Sequence, residues 1–136
     1  MNKPDSLRAA LTAALPELAR DPENLHIFIE HGSIAVTAAK SLSFEYAYTL
    51  DIVITNYAGH SDHLMVPIIA WLKTHQPELL LNRDLCREGF KFQAELIDNS
   101  KSDVEILLKL TERVGVTERP DGYEIRHFGE PPIAGT

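Results

Sequence analysis

Ser43-Phe44-Glu45-Tyr46-Ala47-Tyr48-Thr49-Leu50-Asp51-Ile52-Val53-Ile54-Thr55-Asn56-Tyr57 is the stretch that decides the fold. Phe44, Tyr46, Tyr48, Leu50, Ile52 and Ile54 fall on one side of a period of two. Glu45, Ala47, Thr49, Asp51, Val53 and Thr55 fall on the other. Successive side chains leave a strand on opposite faces, and β-branched and aromatic residues suit its pleated surface. The segment is therefore predicted to be a strand. The aromatic face of Phe44, Tyr46 and Tyr48 reads as sheet packing in preference to a ligand pocket. At about 3.3 Å per residue it would span about 50 Å, so it must bend at a bulge or project beyond the core. Projection would offer an edge to a neighbouring chain.

Before this strand, Leu7, Ala10, Leu11, Ala14, Leu15 and Leu18 recur at helical spacing behind a cap at Asp5 or Ser6, and Pro16 ends or kinks the helix. Leu25, Ile27 and Ile29 alternate with polar or aromatic neighbours. His31-Gly32-Ser33 reads as a turn or bulge, and Ile34, Val36 and Ala38 resume the alternation, giving an expected first hairpin. After the long strand, Ser61 or Asp62 caps a second helix marked by Leu64, Ile68, Trp71, Leu72 and His75, with Pro67 tightening or kinking its start. Trp71 should pack on the sheet, and its indole N–H then needs an acceptor. Residues 77–88 give no clear period, and Leu79-Leu80-Leu81 reads as buried loop or a short strand. Phe90, Phe92, Ala94 and Leu96 form a further strand. Ser102 and Glu105 have capping-box spacing. Yet Val104, Ile106, Leu108, Leu110, Val114 and Val116 keep period two, broken at Glu112, so a long strand is preferred. Arg119-Pro120-Asp121-Gly122 is a tight turn into a strand at Tyr123, Ile125 and His127. This order predicts one α+β domain over residues 1–128, with a mixed, mainly antiparallel sheet and two principal helices packed on it. A flexible arm follows over residues 129–136.

The chain has 136 residues, 44% of them apolar and 24% charged, as a globular domain does. No run approaches the apolar length of a membrane-spanning helix. Met1-Asn2-Lys3-Pro4-Asp5 does not read as a signal peptide, so cytoplasmic residence is expected. Twenty acidic against thirteen basic side chains give a formal charge of −7. The basic residues are scattered, which argues against gripping a phosphate backbone, since that affinity comes from clustered Lys and Arg. The single cysteine, Cys86, is expected to be a packed, inert thiol.

Chemistry is hard to find. His60-Ser61-Asp62-His63 puts three possible ligands in four residues, but zinc wants three or four converging donors, and Asp62, if it is the residue that caps the helix, is already committed to backbone amides. No metal, cofactor or catalytic residue is assigned. Having Ser, His and Asp residues is not evidence of a triad, and no phosphate-binding loop or nucleophile elbow is present.

Several segments carry a family likeness. Lys3-Pro4-Asp5-Ser6-Leu7-Arg8-Ala9-Ala10-Leu11, Ile34-Ala35-Val36-Thr37, Phe44-Glu45-Tyr46-Ala47-Tyr48-Thr49-Leu50 and Val66-Pro67-Ile68-Ile69-Ala70-Trp71-Leu72 are four of them. Gly89-Phe90-Lys91-Phe92 and Tyr123-Glu124-Ile125 continue it. Together they resemble the phage tail completion protein R family of contractile-tailed temperate coliphages. The resemblance implies a non-enzymatic virion protein with a tail-terminator-like fold, assembled in the bacterial host cytoplasm and located in the tail. It implies a homo-oligomeric ring, six being one candidate number, at the head-proximal end of the tail. Its partners would be tail tube or sheath and connector proteins, with no membrane and no specific nucleic-acid binding. The expected interface is Asp51, Val53, Thr55 and Tyr57 on the far half of the long strand, with Pro131, Pro132 and Ile133 on the arm. An assembly chaperone absent from the particle and a small metal-dependent hydrolase built on His60 and His63 are the alternatives.

Overall fold

The computed structural model describes residues 1–36 and 40–130. The helices are α1 (Lys3–Ala14), α2 (Pro16–Arg20), α3 (Asp62–His75) and α4 (Arg83–Gly89). The strands are β1 (Leu25–Val36), β2 (Phe44–Tyr57), β3 (Phe90–Leu96), β4 (Ser102–Arg119) and β5 (Gly122–Phe128). All pairings are antiparallel. The sheet runs β1-β2-β4-β3, and β5 also pairs with β4. The architecture is α+β, as the periodicity indicates.

β4 organises the sheet. One side pairs with β2 from Ser102 to Val114. The other side pairs with β3 from Ser102 to Leu108, and then with β5 from Arg113 to Arg119. Residues 109–112 lie in the gap between β3 and β5. There two side chains stand in for a strand: Lys3 Nζ donates to the Thr111 carbonyl at 2.6 Å, and the Thr111 N–H donates to Gln76 Oε1 at 3.1 Å. Lys3 Nζ also donates to Gln76 Oε1 at 2.6 Å, which satisfies an ammonium buried with its amide partner.

The core lies on one face. Leu50, Ile52 and Ile54 of β2 face Leu108, Ile106 and Val104 of β4, and all six are buried. Leu7 and Leu11 of α1 and Leu64, Ile68, Trp71 and Leu72 of α3 complete the cluster. Trp71 Nε1 donates to Ser6 Oγ at 3.0 Å, so the expected indole acceptor is supplied by α1.

Several sequence expectations change. Residues 25–36 form one strand and not a hairpin. His31, at φ +53°, sits in a bulge between Glu30 and Ser33 that shifts the alternation by one residue. Turn chemistry serves both outcomes, and the long antiparallel partner β2 keeps the chain extended. Of the two outcomes expected for the long strand, a bulge is present, between Ile54 and Tyr57, and projection is not. β2 is paired on both sides from Phe44 to Ile54, and β4 outruns it instead. α1 begins at Lys3 because Pro4 suits a first turn, and the Ser6 hydroxyl serves Trp71 rather than a cap. α3 starts after Ser61 without a side-chain cap and runs through Pro67. Residues 77–88 hold a 3-10 turn, Pro77–Leu80, and α4, whose N–H groups at Asp84 and Leu85 donate to Asn82 Oδ1. Cys86 on α4 is half-buried rather than enclosed.

Candidate functional site

The helices cover only part of the sheet face on which they lie. Toward the open end of β1 and β2, the same face continues with Ile34 and Val36 beside Tyr46 and Phe44. It continues through Val114 and Val116 to Ile125 on β5. Ile34 is 59%, Val36 63% and Ile125 61% exposed, and Tyr123 beyond them 66%. Phe44 and Tyr46 pack edge to face, 5.0 Å between centroids, and stiffen the middle of this strip. Phe44, Tyr46 and Val116 are half-buried and Val114 is buried, so the exposed apolar side chains of this strip lie on β1 and β5.

The hairpin of β4 and β5 extends beyond the end of β2. Gly122, at φ +145°, sits at its turn, a backbone conformation glycine tolerates. Gly115 lets the Phe128 ring lie against β4, since a Cβ there would come within 2.6 Å of the ring. Arg119 pairs with Glu124 along the hairpin. Arg126 stands 6.0 Å from the centre of the Phe128 ring, in cation–π range.

At the base of the uncovered strip lies a polar knot. Glu112 Oε2 accepts from Tyr48 Oη at 2.5 Å, and Oε1 accepts from the Asn2 N–H at 2.7 Å. Burial, with the hydrogen bond to Glu112 and its charge, raises the Tyr48 phenol far above its ordinary value. Lys3 pairs with Glu130 at 3.1 Å, which ties the end of the described chain to the first helix.

The opposite face of the sheet holds three of the expected interface residues, Asp51, Val53 and Thr55. Asp51 is only 6% exposed, and its Oδ1 is a buried oxygen without a hydrogen-bond partner among the described residues. Burial, contact with Glu105 and the charge of Glu30 push its pKa up to about 6. Tyr57 is elsewhere. A bulge between Ile54 and Tyr57, with Asn56 at φ +54°, reverses the alternation and sends the ring into the core. Its Oη donates to the His60 carbonyl at 3.0 Å. Pro131, Pro132 and Ile133 lie outside the described residues.

The histidine cluster stays open. The Asp62 N–H donates to His60 Nδ1 at 3.1 Å, and the His60 and His63 rings are 6.3 Å apart at the surface. Asp62 carries no capping bond, and no third donor joins them among the described residues. The most apolar groove, about 390 Å³ in volume, runs between α4 and the sheet, past Ala47, Thr49, Leu79, Leu85 and Lys109. Asp51 and Glu105 do not line it. Among the described residues no helix is long and apolar enough to cross a membrane.

Sequence reasoning missed Glu112, Lys3, Gln76, Glu30 and Glu105. Glu112 left a signal, being the polar break in an otherwise apolar face of β4. Lys3 and Gln76 left none, because their partner Thr111 is remote in sequence.

The fold is that of a small α+β protein built on one antiparallel sheet. Its family is clear: the chain belongs to the P2 phage tail completion protein R (GpR) family, whose model matches residues 1–131. The tail completion protein R of Escherichia phage P2 is 44% identical over 132 residues, 97% of this chain and 85% of that protein. No solved structure matches the chain.

Proposed function

We propose that this chain completes the phage tail as a structural part, by forming a homo-oligomeric ring at the head-proximal end of the tail tube. Family membership supports the tail completion role. The ring is a reading of the surfaces. The observation that carries it is the apolar strip on which Ile34, Val36, Ile125 and Tyr123 stand exposed among the described residues. Burying such area is favourable by about 25 cal/mol per Å², so a neighbour that covers it is stabilising.

Among the described residues, the edge of β1 and the outer edge of β5 have no strand partner. Edges of this kind recruit strands from other chains. Two different surfaces of one chain, each fitting the other, make a head-to-tail contact that closes into a ring when the rotation permits. The −7 charge suits a lumen through which DNA passes without adhering. Tail tube or sheath would meet one side of the ring and the connector the other, with the arm from residue 129 ordering on a partner. In this reading the protein acts without catalysing a reaction, is assembled in the host cytoplasm and stays in the finished tail.

The test is binding to tails made without this protein. Purified chain should bind them and restore their joining to filled heads in vitro. Chain that neither binds such tails nor restores joining would refute the reading.

A further inference from the structure

The groove between α4 and the outer face of the sheet is apolar and open to solvent. Leu79, Leu85 and Ala47 line it, and Leu85 is 53% exposed. Gln76 and Thr111 line it too. Both accept from Lys3 Nζ, Gln76 through its side-chain oxygen and Thr111 through its carbonyl. The same Nζ donates to Glu130 Oε1 at 3.1 Å. One ammonium thus ties the last described residue to two residues of the groove lining.

The sequence after β5 points the same way. β5 runs antiparallel to β4 and reaches Arg113 at Phe128. Carrying that register on leads past Thr111 toward Lys109, and Gly89 at the end of α4 lies against both Lys109 and Leu79. Pro131 and Pro132 have no N–H to offer the edge of β4, and Lys3 takes the Thr111 carbonyl instead. A residue before proline is held to extended backbone, so Glu130 and Pro131 are steered onward and not back along β5. Three extended steps from Glu130 cover about 9 Å, against about 7 Å at strand rise from Thr111 to Lys109. They end at Ile133, the one branched apolar side chain after Phe128.

We propose that residues 131–136 lie in this groove of their own chain, with the Ile133 side chain seated against Leu79 and Leu85. Removing the isoleucine and the exposed Leu85 from water favours the seat. A second hollow near Glu130, about 290 Å³ in volume, is lined by His75, His127 and Phe128. It lies back along β5, against the direction that the two prolines set. The contact is made within one chain and does not depend on the ring. An arm held there in the free protein has to leave the groove before it orders on a partner.

The experiment is solution NMR of the full chain, isotope-labelled in its backbone and in its Ile and Leu methyl groups. In the parent chain the Ile133 methyls should show nuclear Overhauser contacts to Leu79 and Leu85, and the Ile133 amide should relax as the amides of β5 do. Two variants release the arm from either side: Ile133→Glu changes the occupant, and Leu85→Glu changes an exposed position of α4. Each should lose those contacts and bring Ala134 and Gly135 to the relaxation of an unfolded chain, with the sheet resonances unmoved. Should Leu85→Glu disturb the sheet, Ile133→Glu decides alone. An Ile133 that relaxes as a free end in the parent chain overturns the proposal, as does an arm still rigid in Ile133→Glu. Contacts to His75 or His127 in place of Leu79 and Leu85 overturn it too. So do contacts seen only between differently labelled copies, which would put the arm on a neighbour.

Discussion

Tyr48 Oη donates to Glu112 Oε2 at 2.5 Å across two central strands, 64 positions apart in sequence. Both groups are buried, and the other carboxylate oxygen of Glu112 holds the Asn2 N–H. One acid therefore fixes the register of β2 on β4 near the edge of the core, and places the start of α1.

Tyr48→Phe should lower unfolding stability by about 1–3 kcal/mol, because a buried carboxylate loses a donor and retains its desolvation cost. The sign of its pH dependence follows from the raised phenol pKa. Stability from the Tyr48 proton is fully present below the unfolded value near pH 10 and falls as pH rises above it. Urea unfolding of the parent and Tyr48→Phe should differ most below pH 10 and converge above it.

Much of this was readable beforehand. The period of two in β2 and β4 follows from which residues must face the helices, and Ser102 with Glu105 did not make a helix of β4 against it. The far half of β2 was misjudged as an edge because its second partner, β4, lies some fifty positions later, and no local pattern announces that pairing. Tyr57 was placed outward because a strict alternation was carried through Asn56, whose positive φ breaks it. α4 escaped because seven residues hold too few apolar positions to show a period, although Asn82 ahead of Asp84 and Leu85 was a legible cap. Of the expected interface, Asp51, Val53 and Thr55 share the outer face, whereas Tyr57 turns into the core.

Gln76→Ala should cost about 2–4 kcal/mol, since it strips the Thr111 N–H and the Lys3 ammonium of an acceptor together. Lys3→Met, which removes the charge and keeps the length, should cost less. Chemical denaturation of both variants checks the order. Equal losses would mean that Lys3, not Gln76, holds the gap in the sheet.

Ser6→Ala leaves the Trp71 indole N–H without its acceptor at the contact of α1 with α3. The expected loss is about 1–2 kcal/mol, with a shift in tryptophan fluorescence. Ser6→Thr, which keeps the hydroxyl, should recover most of it.

Asp51→Asn should raise the thermal midpoint of the free chain at pH 7.5. A carboxyl whose folded pKa is raised to about 6 contributes stability that is complete below pH 4 and is lost as pH climbs through 6. At pH 7.5 the ionised group is therefore a liability that the amide removes, worth about 3 °C for each kcal/mol recovered. Calorimetry at pH 4 and 7.5 should show the gain only at the higher pH.

Direct imaging of the head-proximal end of isolated tails is the decisive measurement. Electron cryomicroscopy of tails completed with the purified chain should show one closed ring of copies capping the tube. A single copy at that end, or tails that end bare although they join heads, would contradict the account.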